Sequence, residues 1–376
     1  MTDARSDGDL TPEFPSDGHW MREAVRLAAL GGRATRPNPQ VGCVLVRDDV
    51  IVATGYHAKC GGPHAEAAAL AAAGAQAKGS TAYVTLEPCN HHGRTPPCAQ
   101  ALIDAGVARV VIGHPDPNPL ATGGATRLRA AGVVVREGVE LTACADVAEV
   151  FLVGLRTKRA FVQLKLAATL DGFTAARDGS SQWITGEPAR IEVHRMRAEA
   201  DAVLVGSGTA LADDPRLDVR HISAVKQPLR VVLDRRLRLP ITSHLADVTS
   251  SPTLVFVDEP DVLSSAKAIA LTERGVDVAC VAAARGTSWL TSVLQALRAR
   301  GVHHVLCEGG ATLAGALLRQ GLVDRLDLFQ ASCLLGAGTP LWPDLGISSL
   351  ADARKLRWRT PRLVGDDMWI TARPLG

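Results

Sequence analysis

The sequence predicts a protein built from two α/β domains. Its 376 residues exceed what one hydrophobic core usually accommodates, since single cores stop growing at about 250 to 300 residues. In both halves, short apolar runs typical of strands alternate with segments of helical periodicity. A basic, polar stretch at 156–159 separates the halves. We therefore expect one domain over 19–156 and a second over 160–376, preceded by a disordered lead at 1–18 that has no apolar period.

The first half is predicted to contain a helix, a hairpin, a second helix, and then strands separated by helices. The first helix starts near Trp20 and stops at Gly31-Gly32, and the hairpin turns at Asp48-Asp49. The expected strands are 41–46, 50–55, 81–85, 109–113 and 133–136. The expected later helices cover 63–73, begin near Cys98 and Gly124, and cover 143–155.

In the second half, the strand pattern restarts directly after the basic stretch and again alternates with helical segments. No internal repeat links this half to the first. This order is typical of a second α/β unit with its own core. The expected strands are 161–166, 202–206, 230–234, 253–257, 276–281 and 304–308.

Composition and charge argue against several classes of protein. The 41 Lys and Arg residues nearly balance 39 Asp and Glu, so the formal net charge is only +2, and no basic block suggests contact with a phosphate backbone. The sequence has no apolar run of about 18 residues and no charged-then-apolar N-terminus. We therefore expect a cytoplasmic protein with no nucleic-acid partner and no membrane partner.

One histidine and two cysteines form the strongest chemical signal. His64 lies at the start of the Ala-rich helix, Cys89 follows a proline, and Cys98 comes nine positions later. Three such ligands leave the fourth position of a tetrahedral zinc ion open, as in catalytic rather than structural sites. Zinc lowers the pKa of a water bound there, and a nearby carboxylate can carry the proton to a leaving amine. Glu66 is the candidate for that carboxylate.

The pattern H-x-E…P-C-x-x-C is the signature of zinc-dependent base deaminases, and the chain matches it with one departure. Eight residues, 90–97, separate the cysteines instead of two. This loop is polar and cationic, which suits a phosphorylated substrate. Its last two prolines predict that Cys98 starts a helix, where amide dipoles favour a thiolate. We also expect His64 and Glu66 to lie together in the first turn of their helix.

Other interpretations stay open from the residues alone. The histidine and both cysteines could be buried core residues. Alternatively, the zinc could be structural and completed by His91 or His92, but Glu66 would then have no purpose. For the whole protein, the competing functions are a deaminase of free or RNA-borne bases and a zinc-stabilised binding module.

Further motifs accompany the zinc ligands. In the first half they are TRPNPQVG at 35–42, GYH at 55–57 and LEPCNHHGRTPPC at 86–98. In the second half they are FVQLKLAATLDG at 161–172, SQWIT at 181–185, ADDP at 212–215 and EGGATLAGAL at 308–317. With these motifs in this order, the chain resembles the bifunctional deaminase-reductase family of riboflavin biosynthesis from about Trp20 to its C-terminus.

The resemblance implies a cytidine-deaminase-like α/β/α sandwich followed by a dihydrofolate-reductase-like α/β domain. With one zinc per chain, the first domain would remove the pyrimidine 2-amino group of 2,5-diamino-6-(5-phosphoribosylamino)pyrimidin-4-one. The second would use NADPH to reduce the ribosyl side chain of 5-amino-6-(5-phosphoribosylamino)uracil to ribityl. The partner is then a phosphorylated pyrimidine, a small molecule, and we expect a homo-oligomer assembled through the reductase domain.

The resemblance also assigns residues in the deaminase half. It implies that zinc is held by His64, Cys89 and Cys98, and that Glu66 moves protons. Arginine and histidine suit the phosphate of the expected substrate. The implied substrate contacts are Asn38, His57, His91 and Arg94.

In the second half, an apolar strand at 304–308 runs through two glycines into a helix, whose first amides can receive a pyrophosphate. A glycine turn without a ligand is the alternative. The resemblance implies cofactor contacts at Ala167, Trp183, Thr209, Asp213, Gly310, Ala311, Thr312, Leu313, Ala314, Gly315 and Ala316. The implied substrate contacts are Ser181, Thr185, Arg197, Leu217, Arg220 and Glu308.

Lys165 and Glu308 are the candidates for polarising or protonating the substrate, since hydride transfer needs little other acid-base machinery. The alternatives are a strand-edge charge for Lys165 and a core aromatic for Trp183. The chain departs from the family at Phe173, where the family commonly has Lys or Arg.

Overall fold

The computed structural model describes residues 17–91 and 96–375. The chain divides into two compact units between Leu155 and Arg156, next to the basic stretch noted in the sequence. Each unit has its own sheet and its own hydrophobic core. Residues 1–16 of the predicted lead lie outside the described residues.

The first unit places a mixed sheet between helices. The helices are α1 (Asp17–Ala29), α2 (Ala65–Ala73), α3 (Cys98–Asp104), α4 (Gly124–Ala130), α5 (Leu141–Val147) and α6 (Glu149–Thr157). The strands are β1 (Gly42–Arg47), β2 (Val50–Tyr56), β3 (Thr81–Leu86), β4 (Arg109–His114) and β5 (Val134–Glu137). The strand order is β2-β1-β3-β4-β5, in which β1 runs antiparallel to β2 and β3, while β3, β4 and β5 are parallel.

The alternation of side chains along β1 produces the two layers. Val44 and Val46 face the side covered by α1, whereas Cys43 and Leu45 pack on the side of α2 and α3. The hairpin turn between β1 and β2 consists of two aspartates with positive φ, 53° and 56°, which matches the twist of the strands. The predicted α/β/α sandwich is confirmed.

The prediction of a disordered lead up to residue 18 is wrong at its last two positions. Helix α1 already begins at Asp17, whose side chain is buried. Its carboxylate accepts two hydrogen bonds from Arg109 at 2.8 and 2.6 Å, one from Arg136 at 3.1 Å and one from the Tyr83 hydroxyl at 2.9 Å. This carboxylate therefore ties the start of α1 to three strands.

The helix predicted over 143–155 consists of two helices. Helix α5 ends at Val147, and α6 begins at Glu149 after Ala148, whose backbone leaves the helical region. Apolar residues continue across this break, so periodicity alone does not reveal it.

The second unit is built on one large sheet. Its helices are α7 (Glu187–Glu199), α8 (Ser207–Asp213), α9 (Ala266–Glu273), α10 (Trp289–Ala299) and α11 (Ala311–Arg319). Its strands are β6 (Phe161–Thr169), β7 (Phe173–Ala175), β8 (Ala202–Gly206), β9 (Leu229–Leu233), β10 (Thr253–Val257), β11 (Asp277–Cys280), β12 (His304–Cys307), β13 (Arg325–Ala331), β14 (Thr339–Pro340), β15 (Leu356–Trp358), β16 (Arg362–Val364) and β17 (Asp367–Pro374).

Seven neighbouring strands of this sheet, in the order β11-β10-β9-β8-β12-β6-β13, are parallel. β17 then pairs antiparallel with β13, and β15 and β16 pair antiparallel with β17. β7 and β14 form a separate two-stranded antiparallel sheet. The predicted strands of this half are confirmed, but the parallel strand β13, the short strands β7 and β14, and the antiparallel strands at the C-terminal end were not predicted.

The parallel strands decide where the polar residues of this unit meet. β8, β12 and β6 are neighbours, so the segments that follow them emerge at one edge of the sheet. In open α/β sheets, ligands bind outside the carboxyl ends of the strands. Glu308 follows β12 and Ser207 follows β8. The fold therefore brings these two segments together at the edge where a ligand is expected.

We predict that Asp17→Asn destabilises the first unit. The substitution removes a buried charge that two arginines share, and breaking such a pair typically costs about 3 to 5 kcal/mol. Urea unfolding followed by a probe in the first unit measures the change. Glu23→Gln is the control, because Glu23 makes only an exposed pair with Arg26 and should cost less than about 1 kcal/mol. Equal effects of the two substitutions would contradict the prediction.

Candidate active sites

His64, Cys89 and Cys98 lie together in the first unit. His64 Nδ1 is 3.6 Å from Cys89 Sγ and 3.3 Å from Cys98 Sγ, and the three ligand atoms lie within 4.8 Å of one another. A nitrogen and two sulfur donors at this spacing suit zinc, which prefers such ligands in a tetrahedral arrangement. The three residues therefore fit the metal that the sequence predicts.

Each ligand comes from the end of a secondary-structure element. Cys98 is the first residue of α3, as predicted, and its backbone amide donates to Cys89 Sγ at 3.4 Å. Cys89 lies shortly after the end of β3. His64 was predicted to lie in the first turn of α2, but it precedes the helix and has an extended backbone. This corrects the prediction. Because His64 lies outside the helix, its imidazole does not have to follow the side-chain directions of α2.

Glu66 does lie in the first turn of α2, and its side chain is 3% exposed. It lines the same cavity as His64 and Cys89. Burial raises the pKa of Glu66 to about 7. A carboxyl group with such a pKa can both take up and release a proton near neutral pH.

Asn38 and His57 line this cavity as predicted. The buried His57 donates from Nδ1 to the carbonyl of Pro63 at 2.9 Å, which leaves its Nε2 to accept from the Asn38 amide at 3.1 Å. The two side chains are thus fixed relative to each other. His91 is exposed and also lines the cavity, whereas the predicted substrate contact Arg94 lies outside the described residues.

Several residues of the cavity wall were not predicted, among them Asp116, Asn118 and Phe151. Asp116 and Asn118 follow the carboxyl end of β4, and Phe151 lies on α6. Burial raises the pKa of Asp116. Polar residues directly after a parallel strand are a signal that could have identified the first two, because such positions meet at one edge of a sheet. No pattern in the sequence indicates that Phe151 faces the cavity.

In the second unit, Arg197 and Glu308 form a bidentate ion pair. Arg197 Nε and Nη2 donate to the two carboxylate oxygens at 2.6 and 2.9 Å, and Arg197 Nη1 donates to the carbonyl of Asp218 at 3.0 Å. The pKa of Glu308 is lowered. Burial alone would raise it, but the attraction and the hydrogen bonds of Arg197 outweigh the effect of burial. Burial lowers the pKa of Lys165, which lies within the field of both charges. The structure thus brings three predicted residues into one charged cluster.

Two more predicted substrate contacts lie on the segment held by this cluster. Arg220 donates to Asp218 Oδ1 at 2.5 Å. Leu217 has a positive φ of 52°, and its side chain is buried in the core. The substrate contact at Leu217 stays a prediction, and the burial of the side chain leaves the backbone as the group that could make it.

A long cleft lies where β8 and β12 end and α8 and α11 begin. The Gly310 amide donates to Thr209 Oγ1 at 3.1 Å and so joins the two helix starts. The predicted cofactor residues that line this cleft are Thr209, Asp213, Gly310, Ala311, Thr312, Leu313 and Ala316.

The other predicted cofactor residues lie elsewhere. Ala314 is fully buried in the core and Gly315 packs against Pro343, since both face away from the cleft on α11. Neither residue lines the cleft, and the cofactor contacts at these two positions stay predictions. Ala167 lies on β6, and Trp183 is 64% exposed beneath the Arg190 guanidinium, so Trp183 is not the core aromatic that was the alternative.

Ser181 and Thr185 flank Trp183 in the segment before α7, and neither lines the cleft. Arg190 donates to the carbonyl of Thr185 at 2.9 Å. Phe173, where the family commonly has a cation, lies on β7 and its amide donates to Thr169 Oγ1 at 3.0 Å.

Three arginines of the cleft were not predicted. Arg235, Arg236 and Arg238 follow β9 and line the cleft. The Arg235 guanidinium lies 4.7 Å from the ring centroid of Trp289, and Arg238 donates to Ser207 Oγ. The run Asp-Arg-Arg-Leu-Arg directly after a predicted strand is the signal that could have identified them.

Comparisons with known proteins agree with this geometry. The family model described as "Cytidine and deoxycytidylate deaminase zinc-binding region" matches residues 15–114. The family model described as "RibD C-terminal domain" matches residues 160–368. The riboflavin biosynthesis protein RibD of Aquifex aeolicus is 41% identical over 94% of this chain and 97% of its own length. That of Escherichia coli is 41% identical over 94% of this chain and 98% of its own.

Solved structures extend the likeness to both units. Acinetobacter baumannii RibD, form 1, has a TM-score of 0.80 and 39% identity, and the match covers 97% of this chain and all of that one (100%). The Thermotoga maritima diaminohydroxyphosphoribosylaminopyrimidine deaminase/5-amino-6-(5-phosphoribosylamino)uracil reductase has a TM-score of 0.80 and 34% identity, over 96% of this chain and 99% of that one.

The fold and the sites define a two-domain enzyme that joins a zinc-dependent deaminase to an NADPH-dependent reductase. The chain belongs to the RibD family of riboflavin biosynthesis proteins. It is thus a bifunctional enzyme of riboflavin biosynthesis. Across the part of the chain that the structure describes, each helix is too short or too polar to span a bilayer.

We predict that Cys98→Ser lowers the zinc content of the purified protein well below one ion per chain. The substitution replaces a soft thiolate ligand by a hydroxyl that binds zinc weakly. Elemental analysis by mass spectrometry measures zinc per chain. Cys60→Ser is the matched control, because Cys60 is exposed and outside the ligand group, and it should leave the content unchanged. Full zinc content in Cys98→Ser would contradict the ligand assignment.

Proposed function

We propose that residues 19–156 remove the 2-amino group of 2,5-diamino-6-(5-phosphoribosylamino)pyrimidin-4-one. We further propose that residues 160–376 then reduce the ribosyl group of the product to ribityl with NADPH. The observation that carries the first part is the convergence of His64, Cys89 and Cys98 beside the buried carboxyl of Glu66. The relative from Thermotoga maritima is described by both reactions.

In the deamination, water replaces an amine on the pyrimidine carbon. A bond from carbon to oxygen forms, the bond to nitrogen breaks, and ammonia leaves. Bound zinc supplies the Lewis acidity that lowers the pKa of the attacking water. Glu66 lies where it can take the proton of that water and deliver it to the departing nitrogen, and its raised pKa suits both transfers.

The cavity wall supplies the polar groups that orient the ring. The Asn38 and His57 side chains are locked together, and Asp116 and Asn118 line the wall after β4. We propose that these four residues contact the pyrimidine. His91 and Arg94, in the loop between the cysteine ligands, are then the contacts to the ribose phosphate.

In the reduction, the bond between C1′ and the ring oxygen of the ribose breaks, C1′ gains a hydride, and the oxygen gains a proton. NADPH supplies the hydride. Glu308 stays ionised because Arg197 holds its pKa low, so it cannot give a proton at neutral pH. Lys165 is therefore the proposed donor, since burial lowers the pKa of its ammonium toward neutrality.

The cleft of the second unit offers two features that suit NADPH. The start of α11 offers backbone amides to a pyrophosphate, because the first amides of a helix have no partner within it. The arginines after β9 place positive charge in the same cleft, as a 2′-phosphate requires. We propose that Arg235, Arg236 and Arg238 distinguish NADPH from NADH.

We also propose that the protein forms a homo-oligomer through the reductase domain. Exposed apolar side chains at the C-terminal strands of the sheet support this proposal: Trp358, Leu363 and Met368 are 59%, 76% and 40% exposed. Cytoplasmic localisation stays a prediction.

We predict that Glu66→Gln abolishes deamination but not reduction. The amide keeps the shape of the side chain but cannot accept the proton, so the deaminase turnover should fall at least about 100-fold. Mass spectrometry of products formed from the diaminopyrimidine phosphate measures deamination. Supplying the deaminated intermediate with NADPH measures reduction, which should be unchanged. Unaltered deamination with zinc bound would show that Glu66 is not the proton carrier.

We predict that Arg236→Ala raises the KM for NADPH about 10-fold and leaves the KM for NADH unchanged. The charge it removes would contact only the 2′-phosphate, and a hydrogen bond to a charged group is worth about 1.5 to 3 kcal/mol. Steady-state kinetics with both nucleotides measures the difference. Arg274→Ala, an exposed arginine after α9 that does not line the cleft, is the matched control. An equal rise for NADH would refute the specificity role.

A further inference from the structure

Glu87 lies next to the metal ligands and itself lines the cavity. It follows the last residue of β3 and precedes Cys89 by two positions. Its side chain is buried, with 8% exposed. It binds no metal in the predicted site, and the proton transfers described above do not use it.

Four donors converge on this one carboxylate. Oε1 accepts from the backbone amides of Gly123 at 3.1 Å and Ala125 at 3.0 Å. Oε2 accepts from the backbone amide of Asp116 at 3.3 Å and from the Thr122 hydroxyl at 3.5 Å. All four donors therefore belong to the segment 116–125, which we call the wall segment.

The wall segment carries two of the cavity residues. Asp116 and Asn118 line the cavity, and the Asn118 amide donates to Asp116 Oδ1 at 2.8 Å, which fixes the turn between them. Asp116 is itself held by Glu87 through its amide. The carboxylate of Glu87 thus binds the backbone of the segment that carries these two polar side chains.

A second contact ties the wall segment to the chain around Cys89. The Asn90 amide donates to the carbonyl of Ala121 at 2.9 Å. A Cβ atom added to Gly124 would lie 1.8 Å from the carbonyl oxygen of Pro88, so only glycine allows the two backbones to approach this closely. Residues 87–90, which include the ligand Cys89, therefore contact the wall segment directly, and we call this contact the joint. Glu87 supplies its side-chain hydrogen bonds.

We propose that Glu87 is a positioning residue for deamination, which rests on the function proposed above. It acts through Asp116 and Asn118, whose distance from the metal ligands it sets. The zinc ligands themselves come from His64, Cys89 and Cys98, and they stay in place without it. Loss of the carboxylate should therefore weaken substrate binding before it removes the metal.

Glu87→Gln tests this role in the full-length chain. The amide matches the carboxylate in size, but its NH2 group would face backbone amides that are themselves donors, so the wall segment must shift. We expect the KM of deamination to rise and its kcat/KM to fall about 10- to 100-fold, as is typical for residues that orient an active site from behind. Zinc content, measured by elemental analysis, and reduction of the supplied intermediate should be unchanged.

Two further variants keep the test decisive. Glu137→Gln, an exposed glutamate of the same unit, is the matched control and should alter none of these readouts. If Glu87→Gln does not yield folded protein, Glu87→Asp retains the negative charge on a shorter arm and should show the same rise in KM, to a smaller extent.

The outcomes separate this inference from the proposed function. Wild-type protein that does not deaminate the diaminopyrimidine phosphate would refute the function itself. Wild-type turnover combined with an unchanged KM in the folded Glu87 variants would refute only the positioning role. Loss of zinc from Glu87→Gln, or an equal fall in reductase activity, would also refute it, because the carboxylate would then hold the ligands or the whole fold.

Discussion

The first unit depends on the meeting of two helix starts with the end of one strand. His64 precedes α2, Cys98 begins α3, and Cys89 lies beyond β3. Because the first amides of α3 point at Cys89, one of them donates to its sulfur and favours the thiolate that zinc needs. The packing of α2 and α3 on the same face of the sheet brings these ends together. A change that moved either helix would therefore separate the ligands.

The sequence predicted most of this arrangement, because the signals involved are local. Ligand type and order identified His64, Cys89 and Cys98, and a proline pair placed Cys98 at a helix start. Backbone detail was harder to predict, since the extended conformation of His64 depends on how α2 packs. The role of Asp17 could not be predicted for a similar reason. Its partners lie on strands between 66 and 119 residues away, and no local pattern in the sequence indicates them.

In the second unit, six strands were predicted, whereas β13, in which Arg325, Asp327 and Gln330 interrupt the apolar pattern, and the C-terminal antiparallel strands were missed. The prediction of the cleft was also incomplete. Parallel strands are apolar runs with a clear pattern, whereas the cleft is built from four separate segments that only the tertiary fold brings together. Predicting a cofactor contact at every residue from 310 to 316 also disregards the helical period, because successive residues of a helix face different directions. Ala314 and Gly315 therefore face the core, although their neighbours on α11 line the cleft.

The two cysteine ligands are held by different neighbours, and the anchor of Cys89 extends into the loop between them as far as Asn90. Cys89 is fixed by the end of β3 and by the joint with the wall segment, while Cys98 is fixed by α3. The connection from Asn90 to Cys98 can therefore be longer than the two residues of the general signature while the ligand positions are kept. In this chain the longer connection brings His91 to the cavity wall, while the metal ligands keep the arrangement that the shorter signature requires.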